Sequence, residues 1–333
     1  MHMADALLSP AVGAAMYAVS AAAAAYSVAK IKEDDLCEKK IPVMAVSGAL
    51  VFAGQMINFT IPATGSSGHI GGGILLAGLL GAFPAFIALM TTLIIQCLFF
   101  ADGGLLALGC NIFNMAVIPC LLVYPLLFKP IVAKGLTYRR ISAAAVISAV
   151  LGLQLGAFSV VLETQLSGIT ALPFSTFVLL MQPIHLAIGV VEGIVTAAIL
   201  CFVYNMRPEI LESANAGTRI ADGVSMKKIL TVLACVAFIT GGLLSLFASA
   251  YPDGLEWAVE KTAGAAKAEV KGKLSESAAS IQEALAFMPD YGYKSGTEGE
   301  GTTVAGVVGG AVTFALAGAA GCVISAIKKT RKT

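Results

Sequence analysis

The chain is predicted to be an all-α polytopic membrane protein of about nine transmembrane helices, with its N-terminus outside and its C-terminus cytoplasmic. Three observations predict this. Hydrophobic residues make up 58% of the 333 residues, charged residues only 12%, and the mean hydropathy is +0.87, whereas a soluble domain carries roughly 25% charged residues. Apolar runs of membrane-spanning length recur along the whole chain. Sixteen of the 21 Lys and Arg residues fall in four short segments, four in each.

Taken in order, the first span runs from Ser9 to Ala29, with Ser9-Pro10 as cap and first turn. Ala11, Gly13, Ala14, Ala15, Ala18 and Ala21 to Ala25 give it a nearly smooth surface, which suits close approach to a helix inside the bundle or in another subunit. The basic loop Lys30–Lys40 leads to a second span, Ile41–Phe59, and then to a loop rich in Gly, Ser and Pro, Thr60–Gly68. From His69 to Phe100 the chain is apolar for 32 residues. That is too long for one helix, and Gly81-Ala82-Phe83-Pro84 divides it into two short ones. After the turn Ala101–Gly104 come spans near Leu105–Phe128, Ile141–Leu162, Phe174–Tyr204, Ile229–Ala250 and Thr303–Ile327.

Orientation follows from the basic residues, which mark cytoplasmic loops. An even number of crossings must separate the first two basic clusters, and splitting the 69–100 run supplies it. Residues 251–302 carry nine acidic and five basic residues and fall outside. Met1-His2 and the Thr60–His69 loop then share the external face. The net charge of +1 gives no indication of a nucleic-acid partner. Of the seven cysteines, Cys37 lies in a charged loop and six in apolar runs, with no CxxC, so a thiolate metal site is not expected. The absence of HExxH, GxSxG and GxxxxGK[ST] argues against an enzyme with its own ATPase.

The chemistry sits at the start of the chain. His2 is too large for routine removal of the methionine before it, so Met1 is expected to be retained. The Met1 amine, the His2 amide nitrogen and the His2 Nδ1 close a five- and a six-membered chelate ring around one metal ion. The fourth corner of that square is open to an imidazole, and His69 is on the right face to fill it. Square-planar nitrogen donors suit Ni(II) or Cu(II) better than Zn(II). His69 is expected to begin a helix, whose N-terminus keeps its ring neutral. Gly71, Gly72 and Gly73 let another backbone come close.

Ionisable and amide groups at membrane depth are the other candidates. His185 and Glu192 lie on one face of a span that Pro183 kinks. They are open to three readings: support behind a metal ligand, a gating pair, or a contact to a partner subunit. Asn111 and Asn114, downstream of Asp102, either orient a ligating imidazole or join helices.

Several stretches resemble one family. Met1-His2 with Asp5 and Leu8-Ser9-Pro10, Pro62–His69, Asp102-Gly103-Gly104 with Leu108–Met115, and His185 with Gly189 and Glu192 resemble the CbiM/NikM family. These are the substrate-binding membrane components of cobalt and nickel energy-coupling factor (ECF) transporters. Pro252-Asp253-Gly254-Leu255-Glu256, Met288-Pro289-Asp290-Tyr291 and the last span resemble the accessory PDGLE module. The resemblance implies a seven-helix component over 1–205, a cytoplasmic linker over 206–228 and a two-span accessory module over 229–333. It implies a site of Met1, His2 and His69, nickel or cobalt as cargo with no organic cofactor, and a prokaryotic plasma membrane. It also implies a transmembrane T component and two ATPase subunits as partners. PDGLE modules lean the reading towards nickel. The alternative is a self-sufficient secondary metal-ion transporter using His185, Glu192 and Asp102.

Overall fold

A computed structural model describes residues 1–170, 172–221, 223–263, 272–295 and 301–330. The leader, residues 1–9, is followed by α1 (Pro10–Lys30), which Ser9 caps by accepting from the Val12 N–H at 3.4 Å. Next come α2 (Lys40–Gln55), the two-stranded hairpin β1 (Phe59–Ile61) and β2 (Ser66–Gly68), α3 (Gly73–Leu80) and α4 (Ala82–Phe100). Further on are α5 (Leu108–Ala133), α6 (Tyr138–Ser167), α7 (Phe174–Met206), the short α8 (Pro208–Ala216) and α9 (Lys227–Gly242). The chain ends with α10 (Gly254–Ala263), α11 (Lys273–Leu285) and α12 (Thr302–Thr330).

Six helices (α1, α4, α5, α6, α7 and α12) are long and apolar enough to cross a membrane, and α2 is a shorter apolar helix. Within α5, Phe113–Phe128 winds as a π-helix with Pro119 and Pro125 inside it. The long apolar run does break at Gly81, where φ is +85°. Its first half is not a helix from His69, however. Gly72 takes φ +77° and the helix begins only at Gly73. At eight residues, α3 rises only ~12 Å against ~28 Å for the 19-residue α4. The stretch from the hairpin to Gly72 therefore descends into the bundle as irregular backbone before α3 begins. Such backbone needs partners inside the protein. Gln55 Nε2 donates to Gly71 O at 2.9 Å, and Glu192 accepts from the Gly71 and Gly72 N–H groups at 2.8 and 2.9 Å.

Small residues let the helices close up. A Cβ at Gly189 or Gly193 of α7 would lie 2.9 or 2.7 Å from the α6 backbone at Val150 or Val146. At the crossing of α9 and α12 a Cβ on Gly306 would lie 1.9 Å from Gly241 O. Phe52 of α2 fits against Gly309 of α12, and with Phe100, Ile95 and Met288 it forms a second apolar core. By contrast α1 is peripheral. Gly13 and Ser20 face the bundle, while Ala11, Ala14, Ala15, Ala18, Ala21, Ala22 and Ala25 are exposed.

The two ends of the bundle differ. One carries the hairpin, the leader and α10–α11. The other gathers basic loops: Lys328 Nζ reaches Ala29 O at 2.9 Å, Lys39 reaches Ala221 O, and Lys30, Lys32 and Lys129 line one cavity.

Candidate metal centre

The leader is buried in the bundle. Met1 and Met3 are 7% and 0% exposed. Asn111 grips the Met3 backbone at both poles: its Oδ1 accepts from Met3 N at 2.7 Å and its Nδ2 donates to Met3 O at 3.2 Å. Met3 O also accepts from Gly104 N at 2.8 Å, and Asp5 Oδ1 accepts from Ala107 N at 3.0 Å. The Asp102-Gly103-Gly104 turn is glycine because the leader lies on it. A Cβ at Gly104 would stand 1.9 Å from Asp5 Oδ1.

These contacts bring Met1, His2 and His69 together. The Met1 nitrogen lies 3.2 Å from His69 Nε2, and the His2 ring stacks on the His69 ring with centroids 5.3 Å apart. The His69 Nδ1 proton goes to Ile70 O at 3.0 Å, which leaves Nε2 as a lone pair facing the amine. Burial, and then the positive amine, push both imidazoles down to about 3 from the ordinary 6.5, so both rings are neutral at pH 7. The His2 ring is turned to other partners: Nδ1 is 3.2 Å from Asp102 Oδ1, and Nε2 is 3.3 Å from Gln96 Oε1. Chelation through Nδ1 therefore requires Asp102 to yield that atom. Burial raises the Asp102 carboxyl above its ordinary value, against the Tyr291 hydroxyl that donates to Oδ2.

The remaining candidates divide. Glu192 does not touch an imidazole; it holds the backbone just after His69. Asn111 and Asn114 have no imidazole among their hydrogen-bond partners. Asn111 holds the leader, and Asn114 Nδ2 donates to Glu163 Oε2 at 2.7 Å. His185 Nδ1 donates to Met181 O at 2.8 Å, and its Nε2 is buried without a partner among the described residues. That ring borders a cavity behind the amine, lined also by Met1, His69, Asn114, Glu192 and Asp253. Among the described residues no group of three His, Cys, Asp or Glu side chains gathers as a metal cluster.

Sequence reasoning missed four participants. Gln96 Nε2 donates to Gln55 Oε1 at 2.9 Å, so two glutamines tie His2 to the His69 loop. Their signal was available, since an amide inside an apolar helix needs a partner. Tyr291 reaches Asp102 from the far end of the chain. Asp253, read only as part of a motif, accepts the Met1 ammonium at 2.6 Å. Burial acts to raise Asp253, but the amine charge outweighs it and holds the carboxyl well below its ordinary range. The turn carrying Asp253 is locked to β2. Ser67 N donates to Pro252 O at 2.8 Å, and Trp257 Nε1 donates to Thr64 O at 3.0 Å.

A multi-pass helical bundle closed around its own leader, with nitrogen donors gathered at one end, has the make-up of a membrane transport protein for metal ions. Residues 2–210 match the model of the cobalt uptake substrate-specific transmembrane region, CbiM, and residues 227–326 match the PDGLE domain. The chain belongs to the CbiM family, here joined to a PDGLE module, and is a metal-uptake transport protein. A protein of Archaeoglobus fulgidus carrying the name fused nickel transport protein NikMN is 30% identical over 318 residues, 95% of this chain and 96% of that one. The cobalt transport protein CbiM of Geobacter sulfurreducens is 26% identical, covering 79% of this chain and 78% of its own. A crystal structure of a truncated transition metal transporter superposes with a TM-score of 0.54 at 29% identity, covering 62% of this chain and 99% of that one.

Proposed function

We propose that this chain is the metal-capture subunit of an ATP-driven ECF-type importer, and that it binds Ni(II) or Co(II) through the Met1 amine, the His2 amide and Nδ1, and His69 Nε2. Residues 1–205 form the capture component, 206–228 a cytoplasmic linker and 229–333 the accessory module, whose segment 251–302 lies outside. Energy comes from a T component and two ATPase subunits. Nickel is favoured over cobalt by the fused relatives.

The single observation that carries this reading is the 3.2 Å between the Met1 nitrogen and His69 Nε2. Two nitrogens ~2.0–2.1 Å from one ion at neighbouring corners of a square stand ~2.8–3.0 Å apart. The amine and the imidazole thus already stand close to the separation a metal imposes. In the metal-free chain a proton lies between them, and the ion takes its place as the ammonium and the His2 amide N–H each release one proton to water. Asp253 holds the ammonium in that position until then. The His2 ring must meanwhile leave Asp102.

Acetylation of the Met1 nitrogen removes the amine donor, and with it the five-membered ring, without touching any side chain. Calorimetric titration of the full chain with Ni(II) should then show a loss of about a hundredfold, ~2.8 kcal/mol. Unchanged affinity would overturn the chelate. His69→Ala, which leaves three donors, should weaken binding by at least about tenfold, ~1.4 kcal/mol.

A further inference from the structure

His69 and His185 present the same chemistry to one cavity. In each ring Nδ1 faces a backbone carbonyl, Ile70 O at 3.0 Å and Met181 O at 2.8 Å. A carbonyl only accepts, so both rings carry their proton on Nδ1 and turn a bare Nε2 lone pair away from it. Imidazoles that ligate metals are held in this way. His69 Nε2 has the Met1 amine as its partner. Among the described residues His185 Nε2 has none, although the residue is only 1% exposed. Asn114, whose Oδ1 is likewise buried and unpartnered among the described residues, borders the same cavity. About 20 Å³ there admits the centre of a water-sized sphere, room for one small occupant.

We propose that this cavity is an inner metal station, in which His185 Nε2 and Asn114 Oδ1 receive the divalent transition-metal ion as the Met1 amine and His69 release it. This rests on the metal-import reading above and adds a second stop for the same cargo. Both orphaned atoms offer lone pairs, which one cation accepts together. Met1 and His69 border the same space, so the ion passes between imidazoles without leaving it. Glu192 also borders the cavity, and each of its two oxygens already accepts from a backbone N–H, Gly71 or Gly72. A set of few donors suits transfer, where a site must accept an ion and also let it go. The accessory turn braces the ring: a Cβ at Gly254 would lie 3.2 Å from His185 Cε1. The competing occupant is a trapped water donating one hydrogen to each atom, which would bring no affinity for metal.

The chain has three histidines, so a His2→Ala/His69→Ala protein keeps His185 as its only imidazole. The full chain, purified with a histidine-free tag, is given one equivalent of Cu(II) as a paramagnetic stand-in and examined by electron spin-echo modulation. Remote imidazole-nitrogen modulation is expected, with affinity at least tenfold below that of the unmodified chain. Its absence, while the unmodified chain still binds Cu(II) and Ni(II), overturns the inner station alone. Failure of the unmodified chain to bind either metal overturns the import reading and the station with it. In cells, His185→Gln should cut Ni(II) uptake at least tenfold at equal protein level in the membrane. Undiminished uptake by that variant overturns the station's part in transport.

Discussion

His2 and His69 are neutral because they are buried beside a cation, and the consequence for pH can be worked out. Their pKa in the folded chain, about 3, lies below the ordinary 6.5, so between these values the unfolded chain binds more protons. The stability they contribute is complete above pH 6.5 and is lost as the pH falls towards 3. The thermal midpoint of the metal-free chain should decline through that window, and His2→Ala/His69→Ala should flatten the decline. Glu192 is a second residue whose role follows from what it touches. Glutamine there keeps one acceptor oxygen and turns its amide NH2, a donor, towards the other backbone N–H, a buried mismatch worth ~1–3 kcal/mol. Glu192→Gln should lower the thermal midpoint and weaken Ni(II) binding together, because the Gly71–Gly72 backbone follows directly on His69. A variant that unfolds earlier yet binds metal as before would separate Glu192 from the centre.

At the scale of elements, the leader and the Asp102–Gly104 turn behave as one unit. Gly104→Ala places a methyl 1.9 Å from Asp5 Oδ1 and 2.4 Å from Asp5 N, and the backbone there cannot swing aside. The leader should be driven off and Ni(II) affinity should fall about a hundredfold, ~2.8 kcal/mol. Gly65→Ala is the contrast. At φ +75° with nothing within 4 Å of its Cβ, it carries only backbone strain, ~1–2 kcal/mol, and should bind metal normally. These elements were unequally legible in the sequence. Length and hydropathy found the six span-length helices, because a membrane span announces itself by composition, whereas α2, α3 and α9 are shorter than the spans expected of them. The break at Gly81 was visible for the same reason. The descent before α3 was not, since His69–Gly72 is as apolar and glycine-rich as a helix start. Its irregular course depends on acceptors and donors from α2 and α7, Gln55 and Glu192, which lie far away in the chain. Chelate ring size, which is local chemistry, singled out Met1 and His2, and the placement of basic residues put His69 on the same face; the structure brings the three together. Asp253 could not be singled out, because its partner is 252 residues away and a carboxylate in a turn reads first as a helix cap.

At the scale of the whole molecule, the accessory module is not an appendage. α9 and α12 pack against α2, and α10–α11 lie over the leader end, where Gln282 Nε2 donates to Gly103 O at 2.6 Å. Yet Asn111, Gly104 and Ala107 hold the leader without its help. Deleting 251–333 should therefore cost Ni(II) affinity no more than about tenfold, ~1.4 kcal/mol, while uptake in cells falls further. Equal damage to both would contradict a loading role for the module.

A leader buried among later helices also imposes an order on biosynthesis. Met1 to Leu8 leave the ribosome long before Asn111, which seats Met3, and Asp253, which seats Met1 and follows most of the bundle. Residues 1–8 are thus among the last to reach their place. A nascent chain halted in translation short of Asp253 would lack the carboxylate that holds its own first nitrogen.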